Sequence, residues 1–248
     1  SLVKNIEGVI FHRAPWNTNV AQIVESANAA GKFILFDTDD LVFDTRADPS
    51  QDKGVGKFGK GQAVPQQLQT MQACQFVITS TDYLKSRVQA LGMEAHTLRN
   101  GYSNQMQRCA EQTANRRSPN RVVLGYASGT PTHDQDLKLI EEGLYEALKR
   151  YPHVDLHLMG YIQTPNRLLG FGERVQRRPF VSWQQLPQRL RDIDINLAPF
   201  SADSDFSKGK SALKYMEAAL VGIPTLASPM PAYIHAIKSG TNGIIAFN

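Results

Sequence analysis

Short apolar runs alternate with segments patterned at helical spacing along nearly the whole chain, the signature of strands joined by amphipathic helices. Strands are predicted over Gly8–His12, Phe33–Asp37, Phe76–Thr79 and Ala95–Leu98 in the first half. The second half offers Val122–Tyr126, Asp155–Met159, Arg174–Gln176, Ile193–Ala198, Thr225–Ala227 and Ile244–Phe247. Helices are predicted over Val20–Ala30, Gln66–Cys74, Tyr83–Ala90, Asp134–Arg150, Trp183–Leu190, Lys210–Val221 and Ala232–Lys238. The segment after Thr132 is the clearest: Thr132 and Gln135 make a capping box, and Leu137, Ile140, Leu144 and Leu148 form one stripe. Such alternation implies βαβ units, and therefore an α/β fold with parallel sheets.

Two stretches break the rhythm. Residues 46–65, rich in Gly, Lys and polar side chains, read as a long loop, and residues 111–120 (EQTANRRSPN) read as a linker. The expected division is a Rossmann-like domain over 1–110 and another over 121–248, with an open cleft between them. Of the 248 residues, 42% are hydrophobic and 20% charged, ample material for buried cores. A net charge of +4 suits an anionic small ligand and falls short of the basic excess that nucleic acid demands. The two cysteines, Cys74 and Cys109, lack metal-ligand spacing, which argues against a disulfide scaffold or structural zinc and for a reducing, cytoplasmic compartment. No apolar run reaches the length of a membrane span, and the opening Ser1-Leu2-Val3 carries no leader pattern.

One predicted helix carries an anomalous charge. It is entered through Ser207 or Ser211 and stopped by Gly222 and Pro224, yet Lys208, Lys210 and Lys214 crowd its N-terminal end, where the dipole is already positive. Cations added to free backbone N–H groups suit an anion, phosphate above all; the alternative is a solvated face with a Lys214–Glu217 pair. A single helix here places Lys210, Lys214 and Glu217 on one face and Leu213, Met216 and Leu220 on the apolar stripe.

Three further clusters fall at strand ends, where doubly wound sheets bind their ligands. Ser128-Gly129-Thr130, with His133, admits a phosphate or sugar close to the backbone, or forms an ordinary tight turn. In Asp37-Thr38-Asp39-Asp40 the carboxylates can hold a divalent cation, bind acceptor hydroxyls, or include a nucleophilic aspartate as in haloacid-dehalogenase-like phosphatases. His12, beside Arg13 at the end of the first strand, is a candidate base or acceptor contact, or a partly exposed structural residue.

KSALKYMEAALVGIPTLASP, from Lys210 onward, resembles the donor-binding signature of GT-B glycosyltransferases, in particular family-four-like bacterial enzymes of surface-polysaccharide and O-antigen synthesis. SGTNGI after Lys238 and LRNGY from Leu98 resemble turns of the same enzymes, and FILFDTDDLVFD, GYASGTPTHDQDL and FVSWQQLP follow their order. The resemblance runs from Gly8 to Phe247. It departs from the pattern at Gly209, which occupies the place of the first of two glutamates, and GYASGTPTHDQD lacks the usual Arg and Lys clamp. The first half is short and the closing helices are absent after Asn248, as expected of a compact variant or a piece of a longer multidomain protein.

The resemblance implies two Rossmann-like domains and transfer of a hexosyl or deoxyhexosyl group from a nucleotide diphosphate sugar to a glycan or lipid-linked acceptor. It implies a retaining reaction without a metal or other cofactor, at the cytoplasmic face of a membrane that the protein contacts peripherally. Donor contacts are then expected from Ser128, Gly129, Thr130, His133, Phe180, Val181, Lys210, Ser211, Lys214 and Glu217, with Glu217 on the ribose. His12, Asp37, Asp39 and Lys210 are the expected catalytic groups. A nucleotide-sugar-binding module without catalysis, and a phosphatase using Asp37 and Asp39, are the alternatives.

Overall fold

The computed structural model describes residues 5–44, 63–114, 119–130, 134–200 and 205–247. Thr132, His133, most of the predicted loop and the centre of the predicted linker lie outside the described residues. Two compact units divide the chain: Ser1–Asn100 with Ser204–Ser211, and Gly101–Asp203 with Ala212–Asn248. Both are built on parallel sheets with alternating helices, as the apolar pattern requires.

In the first unit β1 (Gly8–His12), β2 (Phe33–Thr38), β3 (Phe76–Thr79) and β4 (Ala95–Thr97) lie side by side in chain order. They alternate with α1 (Thr18–Ala29), α2 (Ala63–Gln72) and α3 (Asp82–Gln89). The Asn17 and Thr81 side chains accept from backbone N–H groups at the starts of α1 and α3, as helix caps do. Phe11, Ile34, Phe36 and Val77 of the strands pack with Val20 and Val24 of α1, Met71 of α2, and Leu84 and Val88 of α3 in one core. All three helices therefore cover the same face of the sheet. On the opposite face the strand period places Ile10 and, at the start of β2, Phe33 is also open to solvent, 64% and 67% exposed.

The second unit begins with α4 (Asn104–Glu111), absent from the predicted elements because its polar sequence buries only Ala110. There follow β5 (Val122–Ser128), α5 (Asp134–Leu139), α6 (Glu141–Arg150), β6 (Val154–Gly160), a 3-10 stretch at Asn166–Arg174, β7 (Val175–Arg178), α7 (Leu186–Arg191) and β8 (Ile195–Ala198). The chain then makes α8 (Asp205–Gly209), which belongs to the first unit, before α9 (Leu213–Leu220), β9 (Thr225–Ala227), α10 (Pro231–Ala236) and β10 (Gly243–Ile245) complete the second. Its six strands run in the order β10-β9-β8-β5-β6-β7, the doubly wound order with its switch point between β5 and β8. The expected helix over Asp134–Arg150 is divided at Ile140, whose N–H donates to Leu137 O in a tightened turn. Its stripe holds: Leu137, Leu144 and Leu148 are buried.

The charged segment is not one helix. Gly209 ends α8 against Leu84, where an added Cβ would come within 2.9 Å of the leucine, and the next helix starts only at Leu213. Ser207 lies inside α8, and Ser211 accepts a hydrogen bond from Asn100 Nδ2 at 3.0 Å; neither caps α9, whose N-cap is Ala212. The expected stripe is also rotated. Leu213 is 41% exposed, whereas Ala218 and Val221 are buried, so Lys214 stands on the inward face at i, i+4 and i+7. Among the described residues no helix is long and apolar enough to cross a membrane.

Candidate functional site

A cavity of about 300 Å³ opens in the second unit beyond the carboxyl ends of β5 and β6, beside the switch point. Ser128 and Gly129 form one wall, Met159 and Gly160 another, and Phe180, Val181 and Trp183 a third; Asn196, Lys214 and Glu217 close it from β8 and α9. Gly160 takes φ +89°, and an added Cβ would overlap the Ser128 carbonyl oxygen, so only glycine lets these strand ends meet. Tyr161 N–H donates to that same oxygen at 3.1 Å. The Ser128 hydroxyl donates to Thr130 O at 2.7 Å and closes the turn after β5.

Asn196, only 2% exposed, fixes α9 to the sheet: its Nδ2 donates to Lys214 O and Thr225 Oγ1, each at 3.1 Å. The Lys214 ammonium is buried without a hydrogen-bond partner. It lies 4.2 Å from the centroid of the Tyr126 ring and 5.5 Å from that of Phe200, which offer it π-faces. Burial pulls its pKa down to about 8, and burial pushes the Glu217 carboxyl up to about 7, with Lys214 pulling the other way. At the rim Phe180 stacks on Tyr161 with centroids 4.9 Å apart. The cavity thus offers an unsatisfied cation, a carboxyl group poised near neutrality, a backbone-lined turn and exposed aromatic surface.

The structure brings Ser128, Gly129, Phe180, Val181, Lys214 and Glu217 to one cavity. Thr130 lies one residue past its wall in the same turn. Lys210 and Ser211 belong to the first unit, which overturns the expected shared helix face of Lys210 with Lys214 and Glu217; no ion pair joins Lys214 to Glu217 among the described contacts. Trp183, Arg189 and Asn196 were not expected at the cavity. Asn196 falls in a predicted strand and gives no polar signal beyond its own identity.

A second polar cluster lies at the strand ends of the first unit. Parallel register sets His12 beside Asp37, and His12 Nδ1 meets Asp37 Oδ2 at 2.9 Å. Arg13 Nη1 reaches Asp39 Oδ1 at 3.2 Å and Asp40 Oδ2 at 3.0 Å, and Lys210 Nζ reaches Asp40 Oδ1 at 2.7 Å. Arg13 holds φ +48°, the one non-glycine in the left-handed region among the described residues. Its N–H donates to Asp37 O at 3.0 Å and its carbonyl accepts from Gln67 Nε2 at 2.9 Å. Every carboxylate of the cluster has a basic neighbour, and among the described residues no group of three or more His, Cys, Asp or Glu is placed to hold a metal ion.

Two parallel α/β units, the second doubly wound around a cavity at its switch point, define the GT-B fold. No family model and no curated protein matches the sequence. Solved GT-B glycosyltransferases do match the structure. Anabaena HepE in complex with UDP and glucose superposes with TM-score 0.62 at 15% identity, over 96% of this chain and 63% of its own. The lipopolysaccharide outer core galactosyltransferase WaaB gives 0.59 at 17% identity, over 99% of this chain and 63% of its own. The pneumococcal O-GlcNAc transferase GtfA, in complex with UDP and GlcNAc, gives 0.59 at 16% identity, over 94% and 50%. At such identities the likeness establishes the fold, and the chain spans a little under two thirds of the HepE and WaaB chains.

Proposed function

We propose that the chain takes part in glycosyl transfer, with the second unit binding a nucleotide diphosphate sugar and the acceptor a glycan or glycolipid. The observation that carries this reading is the buried, unpartnered ammonium of Lys214 beside Glu217 in a cavity at the switch point. An anionic ligand satisfies that ammonium, and diphosphate is the anion that the neighbours crystallised with UDP also hold. Glu217 then accepts from ribose hydroxyls, the turn at Ser128, Gly129 and Thr130 approaches the phosphates or sugar, and Phe180 and Val181 flank the base. Stabilising the charge that grows on the leaving diphosphate is an electrostatic task that Lys214 performs without a metal. His12, with Asp37 and Asp39, is the acceptor-side candidate: Asp37 holds Nδ1 and leaves Nε2 for a hydroxyl. Lys210 and Ser211 remain candidate donor contacts, with the condition that Lys210 leave Asp40. Retention of configuration and a cytoplasmic site at a membrane surface complete the proposal.

The test is binding followed by product analysis. UDP, GDP and dTDP, each at a hundred times its dissociation constant, raise stability by about 2.7 kcal/mol if the folded state alone binds. The matching nucleotide sugar with a glycan acceptor then yields a transferred sugar in EDTA. A flat response to every nucleotide sinks the reading, and magnesium-dependent release of phosphate from simple esters replaces it with the phosphatase.

A further inference from the structure

The cavity holds a second cation, and it sits away from the first. Arg189 of α7 lines the wall with Leu186, three residues earlier on the same helix face, and with Trp183, which precedes the helix. Its side chain is half-buried and has no hydrogen-bond or ion-pair partner among the described residues. Other arginines of the unit are held by protein acceptors: Arg121 by Asp155, Arg174 by Val154 O and Arg191 by Val221 O. Asp192, three residues on, accepts from Gln188 Nε2 at 3.0 Å rather than from Arg189. A guanidinium at a cavity wall without a protein acceptor is free to donate to whatever fills the cavity.

Neighbouring charges locate that guanidinium. Burial first, and then Arg178 of β7, hold the His157 pKa on β6 below its ordinary value, and Arg189 adds to the same push against Asp155 and Asp192. The charges acting on Lys214 are Asp136 and Glu217, and the charge acting on Glu217 is Lys214; Arg189 is not among them. The cavity therefore has two polar ends. Lys214 and Glu217 form the end at α9, and Arg189 belongs to the end near β6 and β7, where the chain leaving β7 contributes Phe180, Val181 and Trp183. Phe180 and Trp183 are 51% and 42% exposed, ring surface of the kind that stacks on a nucleobase. With diphosphate at Lys214 and ribose at Glu217, the base falls at the Arg189 end. A guanidinium has N–H donors and no acceptor, so the base edge that meets it must accept. Uracil and thymine present O4 and guanine O6, whereas cytosine and adenine carry an amine there, whose hydrogens would face the cation. We propose that Arg189 is a specificity-determining residue, its guanidinium donating to the O4 or O6 carbonyl of the donor nucleobase and disfavouring amino bases. The inference rests on the nucleotide diphosphate reading above and adds to it the class of base.

The pairs UDP with CDP and GDP with ADP test this, because within each pair the carbonyl is exchanged for an amine. Titration calorimetry on the unaltered protein is expected to show a preference of about tenfold or more for the carbonyl member of the pair that binds. This arm needs no variant. Arg189→Gln supplies the second arm, since a glutamine amide can turn either a donor or an acceptor to the base. It is expected to weaken the carbonyl nucleotide and to bring the preference below about threefold, with the melting temperature without ligand unchanged. Equal affinities within each pair in the unaltered protein overturn the proposal. A preference that survives Arg189→Gln overturns it as well. Equal weakening of both members of a pair would make Arg189 a phosphate ligand, and a variant that melts lower would make it a structural residue; either result overturns the reading of the base. If the unaltered protein binds none of the nucleotides, the glycosyl-transfer reading itself fails and takes this inference with it; if it binds them without regard to carbonyl or amine, this inference alone fails.

Discussion

Lys214 occupies a position that hydrophobic burial would assign to leucine or methionine. Its aliphatic stem completes the inward face of α9 with Ala218 and Val221, while the ammonium ends among aromatic rings without a hydrogen-bond partner. A buried charge without a partner costs stability, and here the cost is reduced by moving two pKa values toward each other. The consequence is a specific pH profile. Glu217 binds its proton more tightly folded than unfolded, so between about 4.5 and 7 its contribution to stability falls as pH rises. Lys214 releases its proton more readily when folded, so between about 8 and 10.5 its contribution rises with pH. The pair is least favourable between about pH 7 and 8, where both are charged. Each limb is on the order of 1–3 kcal/mol. Denaturant titrations across that range should show the minimum, and Lys214→Met should remove the alkaline limb while raising stability at pH 7.5. A monotonic profile in the unaltered protein, or a destabilised variant, would show that the ammonium is solvated.

The elements themselves were largely legible, for a physical reason: most of the strands are short runs rich in apolar side chains, separated by segments at helical spacing. Each of the ten predicted strands corresponds to one observed, with β1, β3 and β9 matching to the residue. What escaped the pattern was polar and short. α4 buries one alanine and α8 spans five residues, so neither offers a stripe to detect. The register of α9 was unreadable for the opposite reason: its inward face carries a lysine, and the apolar rule pointed to Leu213. The same limit applies to the site, where the turn after β5 and Glu217 were visible as motifs, but Asn196 and Arg189 look like ordinary strand and helix residues. The close approach of β5 to β6 can be tested at this scale. Gly160→Ala must either force the Ser128 carbonyl aside or abandon φ +89°, and should cost at least about 2 kcal/mol with loss of the cavity. Gly129→Ala, with open space around the added methyl, should melt within a degree or two of the unaltered protein. Equal behaviour of the two variants would mean that the strand ends are not held together as described.

At the scale of the molecule, each hydrophobic cluster of the described residues lies within a single unit. The first core holds residues of β1–β4, α1–α3, the loops that join them and Phe206, and the other three lie wholly in the second unit. Chain order does not follow this division, because α8 leaves the second half of the sequence to finish the first unit. Arg87 binds both Asp44 and Asp205, Thr81 donates to Gly209 O at 3.3 Å, and Lys210 reaches Asp40. Lys210, four residues before Lys214, is thereby committed to the other core. Separate cores predict two calorimetric transitions, and the residues separate their assignments. Lys210→Met removes a half-buried ion pair and should lower the transition of the first unit by a few degrees, leaving the second in place. A nucleotide diphosphate held by Lys214 and Glu217 should raise the second transition alone, by RT ln(1 + [L]/Kd). If Lys210→Met instead abolishes the nucleotide-dependent rise while both transitions stay where they were, Lys210 is a phosphate ligand and its bond to Asp40 is a resting contact. If one transition moves as a whole with ligand, the two cores unfold as one and the division into units has no thermodynamic meaning.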